Sequence, residues 1–147
     1  MNDADAAIHA LFEAHRFLRE AGEKLAASAG QTHARRMVLQ AAEEGATVPD
    51  IARQLGLQRQ GIQRITDELV DERLGRYVDN PRHRLSKLFV LTDRGVAALT
   101  AIRRAHAGWI EGIEAETPQI DWQKFTADLE ELAQVLHSQA SRSAPSR

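Results

Sequence analysis

Thr47-Val48-Pro49-Asp50-Ile51-Ala52-Arg53-Gln54-Leu55-Gly56-Leu57-Gln58-Arg59-Gln60-Gly61-Ile62-Gln63-Arg64-Ile65-Thr66-Asp67-Glu68-Leu69-Val70 carries two short apolar periodicities separated by a glycine. Thr47 to Asp50 has the spacing of a capping box: the Thr47 hydroxyl accepts from the first turn and Asp50 reaches back to the cap. Pro49 fits there, because the amide hydrogen it lacks would be unpaired in any first turn. The helix so started runs through Ile51, Ala52 and Leu55 and stops at Gly56. Ile62, Ile65, Leu69 and Val70, at helical spacings, predict a second helix over about 58–74. Two helices joined by a short glycine-bearing turn make a helix-turn-helix, and small Ala52 at the turn lets them approach closely.

Downstream of Gly75 the apolar period changes towards two. Residues 76–79 and 87–91 read as strands, and Asn80-Pro81-Arg82-His83-Arg84-Leu85-Ser86 between them as a basic hairpin tip opened by a turn-forming Asn-Pro. A helix-turn-helix followed at once by such a hairpin is a winged helix. Thr92-Asp93-Arg94-Gly95 then caps a long helix whose apolar face is Val96, Leu99, Ile102, His106, Trp109, Ile110 and Ile113, ending before Pro118. Asp121 caps a last helix.

Upstream, a mostly apolar stripe of Ile8, Leu11, Phe12, His15, Leu18, Gly22, Leu25 and Ala26 predicts a helix over about 4–28 that, with the helix after it, carries most of the early core. Thr32 caps a second, through Met37, Val38 and Ala41 towards Glu44, with Gly45 as its stop. The expected fold is mainly α with a small β-hairpin wing: a winged helix-turn-helix with N- and C-terminal dimerisation helices. Residues 1–30 and 109–140 are expected to be the dimerisation helices, 31–108 the winged helix-turn-helix with its connecting helix, and 141–147 a disordered tail.

Composition narrows the function. The chain has 147 residues, 19 Lys plus Arg against 21 Asp plus Glu, and no cysteine. Thiol catalysis and cysteine zinc sites are therefore excluded. The charges are segregated: residues 31–108 hold 13 basic and nine acidic side chains, whereas 109–139 hold seven acidic and only Lys124. The middle suits a polyanion; the later segment does not. No apolar run approaches the roughly 18 residues of a membrane span, and the acidic start lacks the layout of a secretory signal, so a cytoplasmic protein without membrane contact is expected. Six scattered histidines form no ligand pattern, and neither a metal nor another cofactor is expected. No nucleophile elbow, phosphate-cradling glycine loop or His-Glu-His helix suggests an enzyme.

A winged helix offers the start of its second helix to the major groove of DNA. Here that start is Gln58, Arg59, Gln60, Gln63 and Arg64. Glutamine can pair bidentately with adenine and arginine with guanine. Arg64 has the alternative of pairing with Asp67 or Glu68 on its own helix. Arg82 and Arg84 on the hairpin suit a minor groove or phosphates. Backbone donors around Thr47 suit a phosphate, and Arg35, Arg53, Arg73, Arg82 and Lys87 are candidates for neutralising the backbone. In the last helix Trp122, Phe125, Leu129, Leu132 and Leu136 alternate by three and four, the spacing of a coiled-coil seam, which favours pairing with a second subunit.

From Thr47 to Gly95 the chain resembles the multiple antibiotic resistance regulator (MarR) family. Thr47 to Leu55, Gly56-Leu57, Ile62, Arg64, Leu69, Leu74, Pro81, Arg84 and Leu91-Thr92-Asp93-Arg94-Gly95 stand where that family's pattern expects such residues. The resemblance implies a homodimer assembled from the first and last helices, with Ile8, Leu11 and Phe12 joining the seam. It implies a pseudo-palindromic double-stranded DNA operator, repression, and release by a small aromatic or phenolic effector. An effector pocket would draw on Phe12, His15, Met37, His106 and Trp109, although His15 and His106 also fit as core histidines. The family's wing commonly reads Asp-Arg-Arg where this chain has His83-Arg84-Leu85, and Gln63 stands where threonine is common. The rival reading is a winged helix that binds a partner protein and no DNA.

Overall fold

The structure, a computed structural model, describes residues 2–142. The elements are α1 (Asp3–Ala27), α2 (His33–Ala41), β1 (Ala46–Thr47), α3 (Val48–Leu55), α4 (Arg59–Asp71), β2 (Gly75–Val78), β3 (Leu88–Leu91), α5 (Asp93–Glu116) and α6 (Trp122–Arg142). Contacts gather them into two compact units, residues 1–108 and 109–147.

The first unit is the winged helix. Thr47 caps α3, its hydroxyl accepting from the Asp50 amide at 3.2 Å. Asp50 answers differently from the expected box: its Oδ2 accepts from the Thr47 hydroxyl itself, at 2.9 Å. Gly56, in the left-handed region at φ 64°, closes α3 as Leu57 N–H reaches back to the Ala52 carbonyl. The turn then delivers Gln58 as the N-cap of α4. At the far end of α4 the same closure is made by Arg73 at φ 62°, with Leu74 N–H bonded to the Leu69 carbonyl. A non-glycine residue pays a steric penalty there.

The hairpin strands β2 and β3 pair antiparallel, with Arg76 opposite Val90 and Tyr77 opposite Phe89. A strand not expected from the sequence, β1, adds to the other side of β3 with Ala46 opposite Phe89, giving the order β1-β3-β2. At two residues it is too short to show alternation. Phe89, central and fully buried, joins this sheet to Val38, Leu39, Ile51, Ile62, Leu69 and Leu99 in one core. A buried phenylalanine of this kind contributes about 3–5 kcal/mol by truncation.

Two apolar faces are not core. Of α1 only Gly22 and Ala26 are buried, while Phe12 is 74% exposed, so α1 gives the core its last two turns and not its whole apolar stripe. In α5, Leu99 and Ile102 are buried but Val96 is half exposed. In the second unit, Asp121 caps α6 through the Lys124 amide, and no α6 residue is buried. The helix continues past Ala140 through Arg142, where Ser141 and Arg142 side chains bond carbonyls one turn back. Those two positions of the expected tail are therefore helical, and 143–147 lie outside the described residues.

Candidate nucleic-acid interface

Helix α4 is half core and half surface. Ile62, Ile65, Thr66 and Leu69 face inward, which leaves Arg59, Gln60, Gln63 and Arg64 exposed on the outer side. Gln58 is exposed at the N-cap and its side chain makes no capping bond, so the helix start carries unpaired backbone donors. Beside it, the hairpin tip 81–85 is exposed throughout, with Leu85 at 91%. Arg59, Gln63, Tyr77, Leu85 and Lys87 line a cleft between recognition helix and wing, together with Val48 and Pro49 from the start of α3.

The electrostatics divide the basic residues. Among the described residues, Arg59, Arg82, Arg84 and Lys87 make no salt bridge. Arg64 takes the alternative left open by its sequence and pairs with Glu68 at 3.2 Å. Arg53 pairs with Asp50. Arg35, expected to be free for phosphate, has a side chain only 13% exposed and bridges to Glu72 at 2.6 Å, holding that carboxyl below its usual range. It is structural, tying α2 to the end of α4. Arg103 forks onto both oxygens of Glu43 and lowers its pKa in the same way.

Thr47 also departs from its expected place. It is buried and its hydroxyl is committed to Asp50, so it positions the start of α3 and does not present its side chain to a ligand. The Thr47 hydroxyl is the main cause of Asp50's lowered pKa. Thr47→Ala should cost about 0.5–2 kcal/mol in denaturant unfolding at neutral pH. Because the folded pKa of Asp50 is depressed, its share is complete above the ordinary carboxylate range and disappears as pH falls through the lowered value. The difference between Thr47→Ala and parent should shrink on acidification; a constant difference would detach Asp50 from the cap.

Gln63 is held more firmly than its sequence suggests. Its amide nitrogen lies 2.9 Å from Asp67 Oδ1 and 2.9 Å from the Tyr77 hydroxyl. Tyr77, from β2, donates to the same Asp67 oxygen at 2.6 Å. Burial, and then the neighbouring Asp67, push the phenol up to about 12, so it keeps its proton. Sequence reading missed this tie between wing and recognition helix, since Gln63 and Tyr77 belong to different elements.

The other expected residues lie elsewhere. On α1, Ile8 and Phe12 are exposed and Leu11 half-buried; on α6, Trp122, Phe125 and Leu136 are exposed and Leu129 and Leu132 half-buried. Of the expected effector residues, Phe12 and His15 are exposed on α1 and Met37 is half-buried on α2, and His106 is half-buried on α5 with a pKa lowered by burial and by Arg36. Trp109 is half-buried at the start of the second unit. No group of three or more acidic or histidine side chains is placed to hold a metal, and no helix is long and apolar enough to cross a membrane, among the described residues.

Recognition helix, wing strands and basic tip together define a winged helix-turn-helix. No protein-family model matches the sequence. An uncharacterized protein of Mycobacterium tuberculosis is 45% identical over 93 residues, which is 63% of this chain; the chain spans 65% of the length of the curated relatives it matches. Among solved structures, a MarR family transcription regulator is 26% identical with a TM-score of 0.79, the match covering 96% of this chain and 94% of that one. The transcriptional repressor CouR, solved on a 23-mer DNA duplex, is 27% identical with a TM-score of 0.70, covering 86% of this chain and 89% of that one. Both are transcription regulators. The chain has the MarR-type winged-helix fold.

Proposed function

We propose that the chain is a homodimeric, sequence-specific DNA-binding transcription regulator that acts as a repressor. The observation that carries the reading is the outward face of α4, with exposed Arg59 and Gln60, set beside a wing whose Arg82, Arg84 and Lys87 have no carboxylate partner among the described residues. A duplex seated there would place the helix start in a major groove and the wing along the adjacent backbone or minor groove. The likeness to a repressor solved on DNA supports the same reading. Gln58, Gln60 and Gln63 would supply contacts to base edges, and Arg59, Arg82, Arg84 and Lys87 would bind phosphate.

The homodimer supplies the two-fold symmetry that a pseudo-palindromic operator requires. Release by a small aromatic or phenolic effector belongs to the same reading; burial, and then Arg36, lower the pKa of half-buried His106, one of the residues expected to meet such a ligand.

The test is salt. Arg59, Arg82, Arg84 and Lys87, doubled in a dimer, give eight phosphate contacts and a log-log slope of binding against salt of about −7. Selection of bound duplexes from a random pool, followed by titration across salt, should yield a palindromic site with that steep dependence. Binding that ignores salt, or no recovered duplex, would overturn the reading in favour of a protein-binding winged helix.

A further inference from the structure

We infer that Tyr77, on the wing strand β2, is a positioning residue for base recognition: it ties the Gln63 amide in place from outside the recognition helix and so sharpens the base preference that Gln63 exerts. The inference rests on the DNA-binding reading above. Its ground is the way three side chains from two elements meet. Gln63 Nε2 lies 2.9 Å from Asp67 Oδ1 and 2.9 Å from the Tyr77 oxygen, and those two oxygens are joined at 2.6 Å by the Tyr77 proton. They therefore subtend only about 53° at the nitrogen, whereas the two amide hydrogens diverge by about 120°, so one hydrogen is shared between both oxygens.

That single tie orients the amide. The Asp67 carboxylate accepts and cannot donate, so the nitrogen end of the amide faces it; turned over, Oε1 would meet a carboxylate oxygen with no hydrogen between them. The tie is as firm as the phenol, and the phenol is held at both its hydroxyl and its ring. Oγ1 of buried Thr66 lies 2.7 Å from the phenol oxygen and braces it from the core side. The ring packs edge-on against fully buried Phe89, centroids 5.9 Å apart. Burial, and then Asp67, keep the phenol protonated, and its proton is what joins it to Asp67.

What stays free for a base is Oε1 and the second amide hydrogen, one acceptor and one donor, neither with a partner among the described residues. A glutamine loose in solvent must give up its rotamer freedom to make a base contact. Gln63 has already surrendered much of that freedom to Asp67 and Tyr77. The ordering cost falls only on the base that is contacted, so lowering it widens the gap to the other bases. Gln60, exposed on the same helix and outside the network, is the untied counterpart. Tyr77 thus acts on DNA through Gln63.

The test uses duplexes selected from a random pool by the parent and then substituted base by base, titrated with the parent, Tyr77→Phe, Gln63→Ala and the double variant. Gln63→Ala should flatten the preference at one base position of each half-site. Tyr77→Phe keeps the ring on Phe89 and should weaken the preference at that same position by about threefold to tenfold, the cost of one side chain left to be immobilised on binding. Other positions and the salt slope should stay as in the parent, and adding Tyr77→Phe to Gln63→Ala should change nothing further. A tyrosine that merely braced the fold, or that touched DNA itself, would still register in the Gln63→Ala background. Asp67→Ala, an exposed change, removes the other anchor and should weaken the same position, while its lost charge raises binding alike at every position; it serves where Tyr77→Phe fails to fold. The inference is overturned if neither network variant alters the position that answers to Gln63→Ala, if the Tyr77→Phe effect survives in the Gln63→Ala background, or if no position answers to Gln63→Ala. A parent that binds no duplex ends the regulator reading and this inference with it, a result distinct from a bound duplex with an indifferent Gln63.

Discussion

Gly95→Ala is expected to lose about 4 kcal/mol or more of unfolding free energy, towards the upper extreme of what single substitutions do. Gly95 lies in the first turn of α5, its amide bonded to the Thr92 hydroxyl, which in turn donates to the Arg73 carbonyl at 2.6 Å. A Cβ built there would stand 1.9 Å from the Leu74 carbonyl oxygen. That atom is backbone, it already accepts from the Thr92 amide, and it sits where α4 hands over to β2. No rotamer change relieves such a clash, so α5 must move away from the end of the recognition helix. For a chain of this size the loss corresponds to a melting point lower by about 10 °C or more. Operator binding should weaken with it, because the wing and α4 share the displaced junction.

Gly61→Ala is the matched control. Gly61 lies inside α4, nothing stands within 4 Å of a Cβ added to it, and alanine there should stabilise the free protein by about 0.5–1 kcal/mol. The two substitutions make the same chemical change in two helices of the same unit, with opposite expected signs. Calorimetry of both variants settles the point: a Gly95→Ala melting curve superimposable on the parent would mean that α5 and the α4–β2 junction do not approach as described.

How much of this was legible in the sequence depends on how local the cause is. Thr32, Thr47, Thr92 and Asp121 each act within three residues of themselves, and all four caps are where their spacing places them. The end of α4 was less visible, because Arg73 holds a left-handed conformation that glycine would normally advertise. β1 is legible only through its pairing with β3, some 40 residues on. The basic residues show the same divide. Arg64 could be weighed against its own helix neighbour Glu68, whereas the burial of Arg35 against Glu72 depends on two helices meeting. Gln63 is exposed on α4, as the spacing of its apolar neighbours predicts, but its contact with a tyrosine from the wing depends on two elements meeting. Periodicity reports which face of a helix is apolar; it is silent on whether that face is buried within its own chain, and on α1 most of it is exposed.

Phe125→Glu is expected to turn the proposed dimer into monomers and to abolish measurable operator binding. Thirteen large apolar residues are exposed among the described residues, and eight of them, Ile8, Phe12, Phe17, Leu18, Trp122, Phe125, Val135 and Leu136, lie on α1 and α6. Soluble monomers seldom leave so much apolar surface on two helices, and burying each such side chain is worth about 1.5–3 kcal/mol. Phe125 packs edge-on against Trp122, centroids 6.0 Å apart, so a second copy would meet an aromatic pair at the start of the α6 seam. A carboxylate placed there loses that burial and would have to be desolvated on association, so the dissociation constant should rise by several orders of magnitude. Binding follows, since two half-sites held by one dimer gain about 10²–10⁴ over a single contact. Because no α6 residue is buried within the chain, the substitution should leave the monomer folded, and circular dichroism should confirm it. Light scattering after size exclusion reads the mass directly. A Phe125→Glu variant of dimer mass would move the interface away from α6, and a monomer that still bound a full palindrome with parental affinity would separate recognition from symmetry altogether.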